Sequence, residues 1–141
     1  MVIADAGLWL ALANRRDRHH ERAKRALAAL DETLITTWPV LTEACHQLMS
    51  RLGADAMRRF LQALEGGAFT LFELGPQHTP SILELSKRYG DLPMDLADAS
   101  LVILAEHLGR GRILSTDQRD FQTYRWKQRE PFENLLIDGS A

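Results

Sequence analysis

Pro93-Met94-Asp95-Leu96-Ala97-Asp98-Ala99-Ser100-Leu101-Val102-Ile103-Leu104-Ala105-Glu106-His107-Leu108-Gly109 reads as one helix with a carboxylate on its apolar side. At about 100° per residue, Leu101, Val102 and Ala105 share a face with Asp98, while Ser100 and His107 lie opposite. The wheel predicts Ser100 toward water and Asp98 aimed into the protein. Burial disfavours the charged form of a carboxylate unless a cation or hydrogen-bond donors meet it. Helix capping accounts for Asp95 better than for Asp98, which the dipole favours only as a first-turn acid. A cation shared between Asp98 and other acids is the remaining solution, so partners are sought along the chain.

Downstream, Arg112-Ile113-Leu114-Ser115-Thr116 reads as a strand running into Asp117, with Asp120 three residues on and Phe121 beside it. Upstream, Thr79-Pro80 opens a helix with Ile82, Leu85, Ser86 and Tyr89 on one face, and Phe69 to Leu74 alternates as a strand. Ala54 to Glu65 is a helix with Met57, Phe60, Leu61 and Leu64 inward. Thr37-Trp38-Pro39 starts another, with Leu41, Ala44, Cys45, Leu48, Met49 and Leu52 as its apolar face and Gly53 as its end. Glu43 projects from the opposite side of that helix, where periodicity alone makes it a solvated acid.

Leu34-Ile35-Thr36 is a second strand. Before it, a helix from Arg18 carries Ala23, Ala26, Leu27 and Leu30 at helical spacing. His19 and His20 are adjacent and diverge by about 100° on that helix, so packing and a helix-start hydrogen bond suit them better than one metal ion. At the N-terminus Val2-Ile3-Ala4 is a buried strand ending at Asp5, which either caps the helical Leu8 to Ala13 or lines a ligand crevice. In the tail, Leu135-Leu136-Ile137 is expected to form a last short strand.

Strands near residues 2, 34, 69, 113 and 135 alternate with helices, which predicts a mostly parallel α/β sheet flanked by helices on both faces. The C-terminal ends of such strands share one edge, so Asp5 and Asp117 meet although 112 positions separate them. The helix bearing Asp98 feeds the same place. Converging carboxylates repel, and a hard divalent cation with oxygen ligands, Mg²⁺ or Mn²⁺, is the simplest compensation.

The 141 residues are expected to form one domain, residues 1–141, without internal repeats. A net charge of -2 gives no general attraction to nucleic acid or anionic membrane, so a polyanion has to be held by local basic patches. The lone Cys45 excludes an internal disulfide framework and fits a reducing, cytoplasmic setting as an inert core thiol. Val2 to Ala13 lacks a basic leader and contains Asp5, and no apolar run is of transmembrane length, so a signal peptide and a membrane span are not expected.

Asp5 after the first strand, Glu43 in Pro-Val-Leu-Thr-Glu, Asp98 in Met-Asp-Leu-Ala-Asp-Ala-Ser-Leu-Val and Asp117 in Ser-Thr-Asp-Gln-Arg-Asp-Phe resemble, in order and spacing, the acids of PIN-domain ribonucleases. The nearest resemblance is to VapC-type toxins of prokaryotic toxin–antitoxin pairs, and it spans essentially the whole chain. It implies a three-layer PIN-like fold and an Mg²⁺- or Mn²⁺-dependent endoribonuclease that leaves a 5′-phosphate and a 3′-hydroxyl. It also implies a homodimer silenced by a VapB-type antitoxin. Carried over, Asp5, Glu43, Asp98 and Asp117 are the catalytic, metal-binding quartet. The resemblance, not the helical wheel, is what promotes Glu43. Thr116 matches a hydroxyl position before the last acid, and Asp95 and Asp120 are rim acids that cap or support. Ala6 departs from the family, many of whose members carry a hydroxyl there, which implies looser metal occupancy.

RNA contacts are expected from Arg15, Arg16 and Arg18 near the first helix and from Arg119 and Arg125, with Lys127 and Arg129, near the last acid. Trp9, Trp38 and Trp126 are either interface or core aromatics. Two other classes compete. A catalytically silent PIN scaffold acting as a binding module uses the same fold without the chemistry. A phosphatase or phospho-acceptor domain wants a lysine at a strand end, and Lys24, Lys87 and Lys127 are not so placed.

Overall fold

The computed structural model describes residues 1–92 and 94–138, so Pro93 lies outside the described residues. In chain order the elements are β1 (Val2–Ala4), α1 (Ala6–Ala13), α2 (His20–Ala28), β2 (Leu34–Thr37), α3 (Trp38–Leu52), α4 (Ala54–Glu65), β3 (Phe69–Phe72) and α5 (Thr79–Arg88). There follow α6 (Leu96–Leu108), β4 (Arg112–Leu114), α7 (Gln118–Thr123), β5 (Arg125–Trp126), β6 (Glu130–Pro131), β7 (Glu133–Asn134) and α8 (Leu135–Asp138).

The α/β class and the parallel sheet expected from the strand–helix alternation are present. Among the described residues the main sheet has five strands in the order β3-β2-β1-β4-β7, every neighbouring pair parallel. The chain builds outward from β1 to β2 and β3, then returns to the other side of β1 with β4, so the strand order reverses at β1. Ligands of open α/β sheets bind at the C-terminal strand ends beside such a reversal. The register sets Ile3 between Ile35 and Ile113, three side chains buried in the centre of the sheet. Trp9, Phe60 and Phe69 pack ring on ring at 4.8 to 5.2 Å, tying α1, α4 and β3 together.

Helix α6 runs through the middle and packs on α3, α5 and β2. This corrects the amphipathic reading: Ser100, expected toward water, is fully buried, as are Leu101, Val102, Leu104 and Ala105. A helix covered on nearly every side has no solvent face for a wheel to find. The Ser100 hydroxyl donates to the Ala97 carbonyl at 2.6 Å and shares a 2.6 Å hydrogen bond with the Thr37 hydroxyl, so its burial leaves no unpaired group.

Other expectations shift. Leu135-Leu136-Ile137 is helical, and the last strand of the sheet is Glu133–Asn134; a short apolar run does not by itself distinguish the two. Cys45 is only half-buried, and Met49 and Leu52 of the same predicted face are exposed, because α3 is covered through Val40, Leu41, Ala44 and Leu48 instead. Burial raises the Cys45 thiol above its ordinary pKa, which keeps it unreactive. Leu61 of α4 is likewise exposed, and Ala56 takes the inward place. The helix expected from Arg18 begins at His20. His20 is buried with Nδ1 2.6 Å from the Ala11 carbonyl, the packing and hydrogen-bonding job read from the sequence. The tail adds an unexpected β5–β6 hairpin, turned by Lys127 (φ 48°) and Gln128 (φ 67°).

Candidate active site

Five chain segments bring acids to one cavity of about 350 Å³ at the C-terminal edge of the sheet. Asp5 arrives from the end of β1, Glu43 from α3, Asp95 and Asp98 from the start of α6, and Asp117 and Asp120 from the turn after β4 and from α7. Asp17, Gln47, Arg51, Thr116, Leu10, Ala6 and Gly7 complete the lining. All four acids of the expected quartet, and both rim acids, are thus on its walls.

Parallel pairing explains how Asp5 is held. Ala4 is in register with Leu114, so the next residues, Asp5 and Ser115, leave the sheet side by side. The Ser115 hydroxyl donates to Asp5 Oδ2 at 2.9 Å, and the Ala6 N–H donates to Oδ1 at 2.7 Å. Ser115 also accepts the Asp117 N–H at 3.0 Å, linking the first and last acids through one hydroxyl. Asn134 fixes Ser115 in turn: its Oδ1 accepts the Ser115 N–H at 3.2 Å and its amide donates to the Ser115 carbonyl at 2.9 Å. Sequence reading missed Ser115 and Asn134 as supports of the two acids; only the strand register exposes them.

Asp98 is half-buried, and the Tyr124 hydroxyl donates to its Oδ2 at 3.1 Å. Tyr124 is fully buried, a third supporting residue without a sequence signal. Its own hydroxyl is held far above its usual pKa by burial and the neighbouring Asp98, so it remains a donor. Asp95 and Asp117 cap α6 and α7, accepting the N–H groups of Asp98 at 2.8 Å and Asp120 at 3.2 Å. Glu43, read from periodicity as solvated, faces the cavity half-buried, with Oε1 accepting from Gln47 Nε2 at 3.1 Å. Thr116 lies against Gly7, where a Cβ would overlap its hydroxyl, so the close approach requires glycine.

The electrostatics follow from burial first and mutual repulsion second. Burial lifts Asp5 to a pKa of about 6, with Asp117 and Asp95 adding to it and the Ser115 and Ala6 hydrogen bonds opposing it. Asp98 is lifted to about 7 by burial, Asp95 and Asp5. Glu43 is raised by burial, then by Asp5 and Asp95, and Asp120 by burial, then by Asp117. Among the described residues none of these acids is ion-paired with a basic side chain. Oxygen-only donors lacking a counter-charge suit a hard divalent cation. Among the described residues, however, no three His, Cys, Asp or Glu side chains are drawn close enough to chelate one ion. Asp95 and Asp117 are engaged in capping bonds and Asp5 and Asp98 in hydrogen bonds from Ser115 and Tyr124, so the acids stand apart on the cavity walls.

The five arginines expected to touch RNA do not line this cavity. Arg15 borders an apolar groove between α1 and α4, Arg16 and Arg119 are exposed, and Arg18 donates to His19 Nε2 at 3.1 Å. Arg125 is committed to the end of α7, donating to the carbonyls of Gln122, Thr123 and Tyr124 at 2.8 to 3.3 Å.

A reversal-point crevice walled by acids at these chain positions defines a PIN domain: the PIN-domain family model matches residues 2–127, and the chain belongs to that family. Within it the chain is similar to VapC-type ribonucleases. Ribonuclease VapC26 of Mycobacterium tuberculosis (strain ATCC 25618 / H37Rv) is 27% identical over 124 residues, covering 88% of this chain and 92% of that protein. The crystal structure of Mycobacterium tuberculosis VapC20, a sarcin–ricin loop cleaving toxin, matches with a TM-score of 0.77 at 20% identity, over 83% of this chain and 90% of that one. At that identity the likeness concerns the fold. Among the described residues no helix is long and apolar enough to cross a membrane.

Replacing Ser115 by Ala removes the hydroxyl that both lowers the Asp5 pKa and seats Asp117. Loss of such a supporting hydrogen bond is expected to weaken metal binding about 10-fold or more. The check is the Mn²⁺ concentration giving half the maximal rise in melting temperature; an unchanged midpoint would reduce Ser115 to a turn residue.

Proposed function

We propose that this protein is a divalent-cation-dependent endoribonuclease and the toxin of a toxin–antitoxin pair. The observation that carries the reading is the single cavity lined by Asp5, Glu43, Asp98 and Asp117 at the sheet edge, without a basic partner for any of them among the described residues. Asp5, Asp98 and Asp117 would hold Mg²⁺ or Mn²⁺ by drawing in from the cavity walls, where they stand apart without the ion, with Glu43 beside them. Such an ion, when bound, supplies Lewis acidity toward phosphate and lowers the pKa of water. Glu43, steadied by Gln47, orients the attacking water and takes its proton. The new P–O bond forms as the bond to the 3′-oxygen breaks, leaving a 5′-phosphate and a 3′-hydroxyl. Asp95 and Asp117 keep the starts of α6 and α7 in place around the reacting phosphate, and Asp120 stands at the rim.

The similarity to VapC26 and the fold of VapC20 support RNA as substrate. A VapB-type antitoxin is the proposed silencing partner. Its peptide would cover the acidic cavity. A homodimer and a cytoplasmic setting complete the reading; Trp38 and Leu96, both 52% exposed, are the apolar side chains that self-association would cover.

The test is incubation with total bacterial RNA in Mn²⁺, Mg²⁺ or EDTA, followed by analysis of the new ends. The expected result is discrete cleavage in metal, none in EDTA, and ends carrying 5′-phosphate. Cleavage that persists in EDTA, or fragments with 2′,3′-cyclic phosphate, would overturn the mechanism. RNA that is bound but left intact under every metal would favour the silent scaffold.

A further inference from the structure

Along α3, Glu43, Gln47 and Arg51 stand four residues apart and all three line the acidic cavity. Residues so spaced occupy one helix face, so a carboxylate, an amide and a guanidinium form a row leading from the acids to the rim. Gln47 is spent on Glu43, at 3.1 Å. Arg51 is exposed and, among the described residues, enters no ion pair, although Asp17 and five further aspartates share its cavity. Its place in the last turn of α3 suits the helix dipole, yet the dipole is served equally by a cation on any face of that turn. The face chosen is the one that opens on the site.

An acidic cavity repels the substrate proposed for it. Metal offsets that repulsion at the reacting phosphate but not at the phosphates on either side, which need a fixed positive donor at the rim. Arg51 supplies one, and its planar fork donates to two phosphate oxygens at once. We propose that Arg51 binds a phosphate of single-stranded RNA flanking the scissile bond and so positions the chain over the acids. This deepens the nuclease reading and rests on it.

The experiment compares wild type, Arg51→Gln and Arg51→Lys. Binding is read by fluorescence anisotropy of a labelled unstructured oligoribonucleotide in EDTA and in Ca²⁺ across a salt series, and cleavage of the same RNA in Mn²⁺. Arg51→Gln is expected to weaken binding and raise KM about tenfold, with kcat and melting temperature little changed. The salt slope should fall by about one ion, and Arg51→Lys should restore it while recovering only part of the affinity. Unchanged affinity and slope in Arg51→Gln, with the wild type cutting RNA, would overturn this assignment and leave the nuclease reading standing. Arg51-dependent binding without cleavage by the wild type would overturn the nuclease reading and with it the placement of Arg51 beside a scissile bond, leaving Arg51 as an RNA contact alone. No binding by the wild type in either medium would overturn both.

Discussion

Asp98→Asn is expected to stabilise the metal-free protein at pH 8 while removing nuclease activity. The carboxyl has a pKa of about 7 in the fold against an ordinary 3.8, so the folded state holds its proton more tightly than the unfolded chain does. Below about pH 4 both states are protonated and the group contributes no penalty. As pH rises, the unfolded state ionises first, and folding stability falls until the folded carboxyl has also ionised, near pH 7. At about 1.4 kcal/mol per pH unit, and discounted because Asp98 keeps part of its surface in water, the penalty is on the order of 2 kcal/mol. Asparagine escapes it and still accepts from Tyr124. The variant should therefore melt roughly 5 °C higher than wild type in EDTA at pH 8, with the difference vanishing by pH 4. Asp5 adds a decline of the same sign up to about pH 6, which the variant retains.

Metal should reverse the order. The cation proposed for Asp5, Asp98 and Asp117 would stabilise the wild type by mass action and the variant much less. Activity should drop at least on the order of 10²-fold, the size expected when one preorganised electrostatic element is removed. Melting curves in EDTA and Mn²⁺ at two pH values check all of this. A variant that melts lower than wild type in EDTA at pH 8 and ignores metal would make Asp98 a helix-start residue and nothing more.

Phe121→Ala should be the most destabilising of the substitutions considered. Phe121 is 1% exposed and meets Tyr124 and Phe132 edge-on, with ring centroids 5.3 Å apart in both cases. Truncating a buried phenylalanine costs about 3–5 kcal/mol through lost transfer energy and the cavity left behind. The loss falls on the wall that carries Asp117, Asp120 and the Tyr124 hydroxyl, so metal-binding affinity should fall with stability. Urea unfolding measures the first, and the Mn²⁺-dependent rise in melting temperature measures the second. Phe121→Leu, which refills most of the volume, should recover most of both. A loss of less than about 1 kcal/mol in the alanine variant would show that α7 is not anchored through this ring.

Local chemistry made several features legible from the chain alone. Val2-Ile3-Ala4, Leu34-Ile35-Thr36 and the run at Ile113 are legible as strands because they are short and apolar, and their alternation with helices predicts a parallel sheet. That sheet in turn predicts that Asp5 and Asp117 meet, and Asp98 betrayed itself by standing on an apolar face. That Asp5, Glu43, Asp98 and Asp117 line one cavity was readable because acids at strand ends and helix starts are conspicuous, with Glu43 needing the family resemblance as well.

Tertiary structure decided what periodicity does not encode. Ser100 lies inside because α6 is covered by α3, α5 and β2, and a helix buried all round gives no contrast between its faces. Leu135 and Leu136 are helical and Cys45 half-exposed for the same reason: burial belongs to the neighbours a segment finds, not to its composition. Ser115, Asn134 and Tyr124 reach the acids only through the pairing of β1 with β4, of β4 with β7, and the packing of α7's end against α6. The sequence alone determined which groups carry charge and where strands and helices alternate, because those depend on nearby residues. Which hydroxyl steadies which carboxylate, and which arginine lines the cavity, depends on contacts between distant segments that exist only once the sheet has closed its register.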